Sequence, residues 1–471
     1  MIRNFVSVIA GHWLSLVGAL IAMAALVLML TLIGIQISGF QGGAYLGILT
    51  YMLLPAAFAF GLILIPLGVW RRRKVAAAAA AKHKTAPAGL PVIDLNNERT
   101  RSIVLASLVV GLLSTVLLAG VTYKGVHEME SVAFCGTVCH TVMQPEHTAF
   151  QRSSHSKITC ADCHIGAGAD WFVKSKITGS WQMVSVAFGL YPTPIGSPVH
   201  SLRPARDTCE QCHWPTRHVG DTLKIKTSYG VDEANSETKT VLMMKVGGQQ
   251  GTASTGIHWH VDRGVTIRYL SDASRENIFD IEMTAADGTK KTFKTDAKPE
   301  GKTEWRTMDC VDCHNRPAHT FQPAAKEVNT AMESGRIDKS LPFIKREGMR
   351  VLTTGKYVSH EEARAGIARE IETFYKTKYA ELATTKAKEI AAAGTALGDI
   401  YAWNVFPKMK VTWDTYTNHL GHTDESPGCM RCHDKKHVAE GGAKVSGSCK
   451  ICHAVLADDE ANPEILKTLK P

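Results

Sequence analysis

The chain contains no charged side chain between Arg3 and Arg71, and no cysteine outside a pair that histidine directly follows. The first absence leaves an apolar stretch longer than the roughly 20 residues that one bilayer crossing needs, which excludes a purely water-soluble fold. The second absence excludes a disulfide framework, in which histidine would not follow every pair. It also excludes zinc ribbons and fingers, which need a second ligand pair at their own spacing.

All twelve cysteines belong to six short motifs that end in histidine. Five of the motifs are regular C-x-x-C-H sequences, in which two thiols bond the haem vinyl groups and the histidine binds the iron. Their residues are Cys160, Cys163 and His164; Cys209, Cys212 and His213; Cys310, Cys313 and His314; Cys429, Cys432 and His433; and Cys449, Cys452 and His453. Five regular copies with no cysteine left over indicate a multihaem c-type cytochrome.

The sixth motif is irregular, because Cys135 and Cys139 are separated by three residues instead of two before His140. The longer spacer stretches the span between the two thioethers. Cys135 therefore bonds its vinyl group through a distorted loop or not at all. We expect six covalently bound haem c groups, with His140 as a proximal ligand, or five if this motif is empty.

Uncharged runs predict three transmembrane helices and make membrane lipid an expected partner. A glycine-rich break divides residues 1–74 into two spans, Trp13–Ile37 and Tyr45–Trp70. Residues 75–101 have the composition of a cytoplasmic linker, and residues 102–123 form the third span. The first span is too long for a signal peptide and leads directly into the second.

The basic residues indicate an orientation in the membrane. Arg3 precedes the first span and the cluster Arg71–Lys74 follows the second, while the loop between the spans is uncharged. Since positive residues stay in the cytoplasm, the N-terminus is predicted to be cytoplasmic. Everything from Lys124 onward is then periplasmic, which is also where haem c is attached. The expected location is the bacterial cytoplasmic (inner) membrane.

The rest of the chain divides into three regions. Residues 124–218 hold three motifs, residues 219–305 hold β-branched runs and no cysteine, and residues 306–471 hold three more motifs. Asp287-Gly288 predicts a hairpin turn, and apolar spacing predicts one packing helix over 361–393. The expected fold is mostly α with long loops: three transmembrane helices plus a periplasmic multihaem cytochrome c domain containing a small β insert.

Haem irons that relay electrons need a second axial ligand to stay six-coordinate. Twelve histidines beyond the proximal ones lie after Lys124, and those near motifs or in unusual company are the candidates. They are His155, His200, His258, His260, His319, His422 and His437. His258 and His260 fall in a predicted strand, where residues i and i+2 share a face, so both are expected to point at haems held by other segments.

Several stretches resemble the NapC/NirT family of membrane-anchored multihaem quinol dehydrogenases. The segments F-C-G-T-V-C-H-T-V-M-Q-P-E at 134–146 and C-A-D-C-H-I-G at 160–166 look like the first haem pair of that family. The stretches G-I-H-W-H at 256–260 and C-V-D-C-H-N-R-P at 310–317 look like its longer branch, the inner-membrane multihaem cytochromes of metal-reducing bacteria. The resemblance covers essentially all of residues 102–471.

The resemblance implies a ligand for the first haem. In short members of the family, a methionine just after the first motif binds the haem nearest the membrane and leaves one face for quinol. Met143 occupies that place, three residues after His140. Its ligand role stays open against His127 and His140, and a Met143 that only packs on the porphyrin is the alternative.

The resemblance also implies a quinol proton relay, for which the family uses a lysine and an acidic residue after the second motif. Lys174, Lys176 and Asp170 occupy this stretch. The acidic residue that the family places further on is absent, and Trp181 and Gln182 stand there. The proton acceptor is therefore open, and Lys174 is alternatively an interfacial lysine that snorkels.

The implied function is an inner-membrane quinol dehydrogenase that oxidises menaquinol in anaerobic respiration. The expected partners are the quinone pool and periplasmic c-type cytochromes or a terminal reductase. A passive relay subunit is the main alternative. A terminal reductase is disfavoured because its open iron site is often marked by C-x-x-C-K, which is absent here. The net charge of +9 does not indicate nucleic acid, because haem propionates offset it.

Overall fold

The computed structural model describes residues 12–37, 49–82, 95–165, 169–199, 203–214, 217, 220–250, 253–422 and 426–469. The chain divides into two compact units, residues 1–138 and residues 139–471. Helices predominate in both units, and the second also contains small sheets. The predicted fold class, mostly α with a small β insert, is confirmed.

The first unit is built from apolar helices. They are α1 (Trp13–Ile37), a π-helical turn (Leu49–Leu53) that leads into α2 (Leu54–Lys82), α3 (Glu98–Met129) and the short α4 (Val132–Thr137). Three stretches are long and apolar enough to cross a membrane: Trp13–Ile35, Leu49–Val75 and Glu98–Met129. The three predicted spans are confirmed, and both α2 and α3 reach into the segment expected to be a linker.

Helices α1 and α2 pack closely as an antiparallel pair through small residues. A Cβ atom on Gly61 would lie 2.6 Å from the carbonyl oxygen of Gly18, so only glycine permits this approach. The Ser15 hydroxyl donates to the carbonyl of Ile65 at 2.9 Å. In lipid, such backbone proximity and interhelical hydrogen bonds replace the hydrophobic drive that holds helices together in water.

The second unit begins with short helices around the first motifs, continues with strands and ends with a helical core and two more strands. Its helices are α5 (His140–Gln151), α6 (Cys160–His164), α7 (Ala169–Ala187), α8 (Ala205–Cys209), α9 (Ala324–Glu333), α10 (Ile344–Thr354), α11 (His360–Lys378), α12 (Ala380–Thr385), α13 (Ala387–Asn404) and α14 (Ile465–Thr468). Its strands are β1 (Thr222–Tyr229), β2 (Glu237–Met244), β3 (Gly248–Gln250), β4 (Ala253–Thr255), β5 (Thr266–Asp272), β6 (Ile278–Thr284), β7 (Lys290–Lys294), β8 (Thr303–Thr307), β9 (Val438–Ala439) and β10 (His453–Glu460).

The main core of this unit lies among α9, α10, α11 and α13, where Ile367 and Leu397 are fully buried. The prediction of one helix over 361–393 is wrong. The backbone leaves helical geometry at Tyr379 and again at Lys386, which gives three helices. The apolar spacing continues past these two breaks because α13 folds back and packs its own apolar face against α11.

The strands form a three-stranded sheet in the order β1-β2-β10, a five-stranded sheet in the order β8-β5-β6-β7-β9, and the separate pair β3-β4. All pairs are antiparallel. The predicted β insert and the turn at Gly288, with φ +82°, are confirmed. The insert is not self-contained, however, because β9 and β10 come from the C-terminal haem region and complete its sheets.

Candidate functional site

Four of the regular motifs form a single helical turn, and the Cys209 motif begins at the last residue of α8. Helix α6 covers Cys160–His164, and short 3-10 turns cover Cys310–Asp312, Gly428–Arg431 and Cys449–Ile451. Within three of the motifs the histidine amide donates to the carbonyl of the first cysteine, at distances of 2.8 Å, 2.9 Å and 3.1 Å. One turn thus brings two thiols and an imidazole together, as covalent attachment of one porphyrin requires.

Two motifs carry aspartate before their second cysteine, and this aspartate builds a capping box. Asp162 pairs with Thr159 before α6, and Asp312 pairs with Asp309. Asp312 is 2% exposed, and it accepts hydrogen bonds from the Tyr269 hydroxyl at 2.5 Å and from Arg306 Nε at 2.7 Å. Burial and the Asp312 carboxylate raise the pKa of Tyr269. These bonds fix the backbone of the Cys310 motif.

The five regular motifs follow one another in space in their sequence order. The Cys160 motif lies near the Cys209 motif. Burial raises the pKa of Cys163, and the nearby Cys212 thiol adds to this increase. The adjacent Cys310 thiol raises the pKa of Cys209, with burial as the next cause. Burial raises the pKa of Cys313 to about 11, with Cys429 as the next cause.

The thiol of Cys429 is in turn among the neighbours that raise the pKa of Cys452, after burial. Arg431, within the fifth motif in sequence, donates to the carbonyls of Arg275 and Asp312, both at 2.6 Å. Through Asp312 this arginine ties its own motif to the preceding one. Each attachment motif from Cys160 to Cys452 therefore lies beside the next one in the sequence.

Four proximal histidines each face a second histidine at a similar distance. Because a metal lies about 2 Å from a histidine nitrogen, two imidazoles on opposite sides of one iron have ring centres roughly 6 Å apart. The observed ring-centre distances are 6.1 Å for His155 and His213, 6.2 Å for His164 and His319, 5.8 Å for His260 and His433, and 6.2 Å for His422 and His453. The proximal histidine of the Cys310 motif, His314, lies near His258. Burial lowers the pKa of His314, and His258 is the next cause.

The hydrogen bonds of these imidazoles select which nitrogen is available. The Nδ1 atom faces a carbonyl oxygen in His319 (3.0 Å, Glu146), His155 (3.3 Å, Pro317), His260 (2.7 Å, Ile257) and His433 (2.6 Å, Ser446). A ring nitrogen that faces a carbonyl carries the hydrogen, which leaves the Nε2 lone pair for a metal. Buried Nδ1 of His453 has no hydrogen-bond partner within the described residues. The residues present fit bis-histidine haem.

Hydrogen bonding of the ring nitrogens also separates His437 from the candidate ligands. His437, which is 1% exposed, uses Nδ1 with Asp434 at 3.0 Å and Nε2 with the carbonyl of Ile278 at 3.1 Å. Neither nitrogen is left for iron in this arrangement, so the geometry gives no support to His437 as a ligand. His200 lies outside the described residues.

The predicted strand around His258 and His260 is wrong, because Ile257–Val261 is a 3-10 helix. Gly256 adopts φ +71° and approaches the backbone of Lys245 too closely for any side chain. At three residues per turn, positions i and i+2 point roughly 120° apart rather than to one face. The two imidazoles consequently neighbour different motifs, His258 near His314 and His260 near His433.

Sequence reasoning missed the pair that orients His319. Arg316 donates two hydrogen bonds to the Glu146 carboxylate, both 2.8 Å long, and the side chain of Arg316 is 9% exposed. The Glu146 carboxylate also lies 3.2 Å from Nδ1 of His319. The signal was present, since both residues fall in the stretches 134–146 and 310–317 that carry the family resemblance.

The irregular motif is divided between the two units. Cys135 lies in α4, with its Sγ atom 3.7 Å from the carbonyl of Met129. Cys139 has a non-helical backbone, and α5 begins directly after it at His140 and contains half-buried Met143. His127 lies in the last turn of α3. Whether Met143 or His127 binds the first iron stays a prediction.

The three candidates for the proton relay all lie on α7. Asp170 and Lys174 are exposed and four positions apart, so they share a face of the helix. The Lys174 ammonium lies 4.7 Å from the centre of the Trp171 ring. Lys176 is half-buried on another side. Their role in quinol chemistry stays a prediction.

The apolar helices and the neighbouring C-x-x-C-H motifs define a membrane-anchored multihaem c-type cytochrome that carries covalently bound haem c. Residues 97–195 match the N-terminal region of the NapC/NirT cytochrome c family. The chain is 36% identical over 459 residues to cytochrome c-type protein ImcH of Geobacter sulfurreducens, which covers 95% of this chain and 89% of that protein. This chain belongs to the NapC/NirT cytochrome c family.

A more distant relative is cytochrome c-type protein TorC of Escherichia coli. It is 21% identical over 364 residues, covering 73% of this chain and 85% of that protein. No solved structure matches the chain. Family membership supports a general role as an electron-transfer oxidoreductase in the membrane.

Proposed function

We propose that this protein oxidises menaquinol at the inner membrane and transfers the electrons through six c-type haems to a periplasmic acceptor. The proposal rests on five neighbouring motifs, each with a second histidine next to its proximal one. The same chain has three helices long and apolar enough to cross the membrane. When bound, the haems supply one-electron redox centres. The residues of the chain hold the haems in order and accept the protons that quinol releases.

The proposed ligand pairs are taken from the observed neighbours. They are His164 with His319, His213 with His155, His314 with His258, His433 with His260, and His453 with His422, while the first haem is held by a single axial ligand, Met143 or His140, and keeps its other face for quinol. The carbonyls that face Nδ1 orient the imidazoles and increase their basicity as ligands.

The quinol side needs a base because quinol releases two protons with its two electrons, and a haem accepts no proton. Lys174 is the proposed acceptor, with Asp170 on the same face of α7 to pass the proton on. The exposure of Lys174 beside Trp171 supports this assignment over the half-buried Lys176.

The proposed exit for electrons is the last motif. Cys449 is exposed, and Ile451 between its two cysteines is 42% exposed. Exposed lysines, Lys450 and Lys444, lie within and shortly before the motif. A periplasmic c-type cytochrome or terminal reductase with an acidic surface around its own redox centre is the acceptor class that this charge fits.

Haem stoichiometry is the first test. The purified holoprotein is expected to exceed the apo chain in mass by six haems, because all twelve cysteines lie in attachment motifs. Intact-mass spectrometry measures this directly. A Cys135→Ser variant with an unchanged haem count shows that Cys139 alone attaches the first haem. A wild-type mass with five haems contradicts the assignment of the irregular motif.

The orientation in the membrane is tested by fusion reporters. Arg3 and the Arg71–Lys74 cluster flank the first two spans, so the C-terminus is expected to be periplasmic. A reporter that is active only in the cytoplasm should be silent when fused after Pro471 and active when inserted in the linker near Ala78. The reversed pattern contradicts the proposed topology.

A further inference from the structure

The outer face of α7 is apolar, which is unusual for a surface helix. Val173, Ile177, Trp181 and Val184 are 54%, 67%, 62% and 43% exposed, and Phe188, directly after the helix, is 75% exposed. Surface helices normally direct polar residues outward, and a contiguous exposed apolar patch marks an interaction site. Together these five side chains form the α7 stripe.

The α7 stripe points away from the unit that carries the helix. At 3.6 residues per turn, its members fall within an arc of about 80°, in which the exposed Asp170 of the first turn also lies. The opposite side carries half-buried Gly179 and Val186, and Val186 packs against the apolar cluster that contains Val142 and Phe321. The helix therefore already has its core-facing side, and the stripe is a second apolar face that the second unit leaves uncovered.

We propose that α7 lies in the plane of the membrane interface, with the α7 stripe inserted at the boundary between lipid headgroups and acyl chains. Tryptophan and lysine are the residues that anchor at this depth, and Lys174 extends from the edge of the stripe over the ring of Trp171. Both Lys174 and Lys176 complement anionic headgroups. A protein partner is disfavoured because lysine is depleted at protein–protein interfaces.

The covalent path of the chain supports a bilayer as the occupant. The third membrane-spanning helix ends at Met129, and α7 begins only about 40 positions later at Ala169. The helix is thus tethered to a membrane that the same chain crosses. Interfacial binding requires no quinol chemistry, so the inference stands or fails separately from the proposed substrate.

Photolabelling tests the inference on the haem-loaded full chain. The protein is placed in nanodiscs of phosphatidylcholine and phosphatidylglycerol that contain a lipid with a diazirine on its acyl chain, and cross-linked peptides are mapped by mass spectrometry. Peptides covering 173–188 should be labelled like those of the three spans. The internal reference is Val358, which is 77% exposed and lies in the second unit between α10 and α11.

The double variant Ile177→Glu, Trp181→Glu should lower labelling of α7 to the level at Val358, while Val358→Glu should change nothing. Absorbance of the haems checks that both variants are folded. Wild-type labelling of α7 that does not exceed the level at Val358 overturns the inference. Cross-links from α7 to a second copy of the chain, in place of lipid, overturn it equally.

Discussion

Replacing His260 by alanine is expected to change one haem from six-coordinate low spin to five-coordinate high spin. The imidazole of His260 lies 5.8 Å from that of His433 and holds its Nδ1 hydrogen on the carbonyl of Ile257, so its Nε2 atom is the proposed sixth ligand. Covalent attachment depends on Cys429 and Cys432, and the haem count should therefore stay the same. Electron paramagnetic resonance should show a new high-spin ferric signal from one haem.

His437→Ala is the matched control for this experiment. His437 lies close to the same motif in sequence, but both of its ring nitrogens are hydrogen-bonded, to Asp434 and to Ile278. This variant should leave the spin state of every haem as in the wild type, and any loss should appear as reduced stability. Added imidazole should restore the low-spin signal of His260→Ala. A high-spin haem in the His437 variant, with none in the His260 variant, contradicts the ligand assignment.

Lys174→Ala is expected to slow quinol oxidation by about 10² to 10⁴-fold, the range typical of general acid–base catalysis. The half-buried Lys176 should matter little alone, and the double variant should match Lys174→Ala. The rate is measured with a menaquinol analogue and purified protein, without partner subunits. Haem content and reduction by dithionite should remain at wild-type values, because neither lysine holds a haem.

Lys408→Ala, at an exposed lysine far along the sequence, serves as the control and should oxidise quinol at the wild-type rate. A double variant with full haem content and the wild-type rate shows that neither lysine is the proton relay. If the purified wild-type protein fails to oxidise quinol at all, the chain is a passive relay that receives electrons from a separate quinol-oxidising subunit. The two outcomes are distinguishable in one series of measurements.

The haem-attachment turns and the spans follow from the sequence because both depend on local chemistry. Thioether attachment needs two cysteines and a histidine within one turn, as in Cys160–His164, so the motif itself carries the information. A bilayer span needs only length and apolar composition, and Trp13–Ile37 begins and ends where composition predicts. The strands β2, β5, β6 and β7 were likewise predictable from β-branched runs and one glycine turn.

The pairing of histidines was decided by the tertiary structure. His164 faces His319 and His260 faces His433, across more than 150 positions in each case, and spacing along a chain carries no information over such separations. The sequence does not distinguish His260 from His437. A carbonyl occupies Nδ1 alone in His260, whereas the Asp434 carboxylate and the Ile278 carbonyl occupy both ring nitrogens of His437. An imidazole becomes a metal ligand only where folding leaves one nitrogen unused, and long-range packing of the backbone determines where that happens.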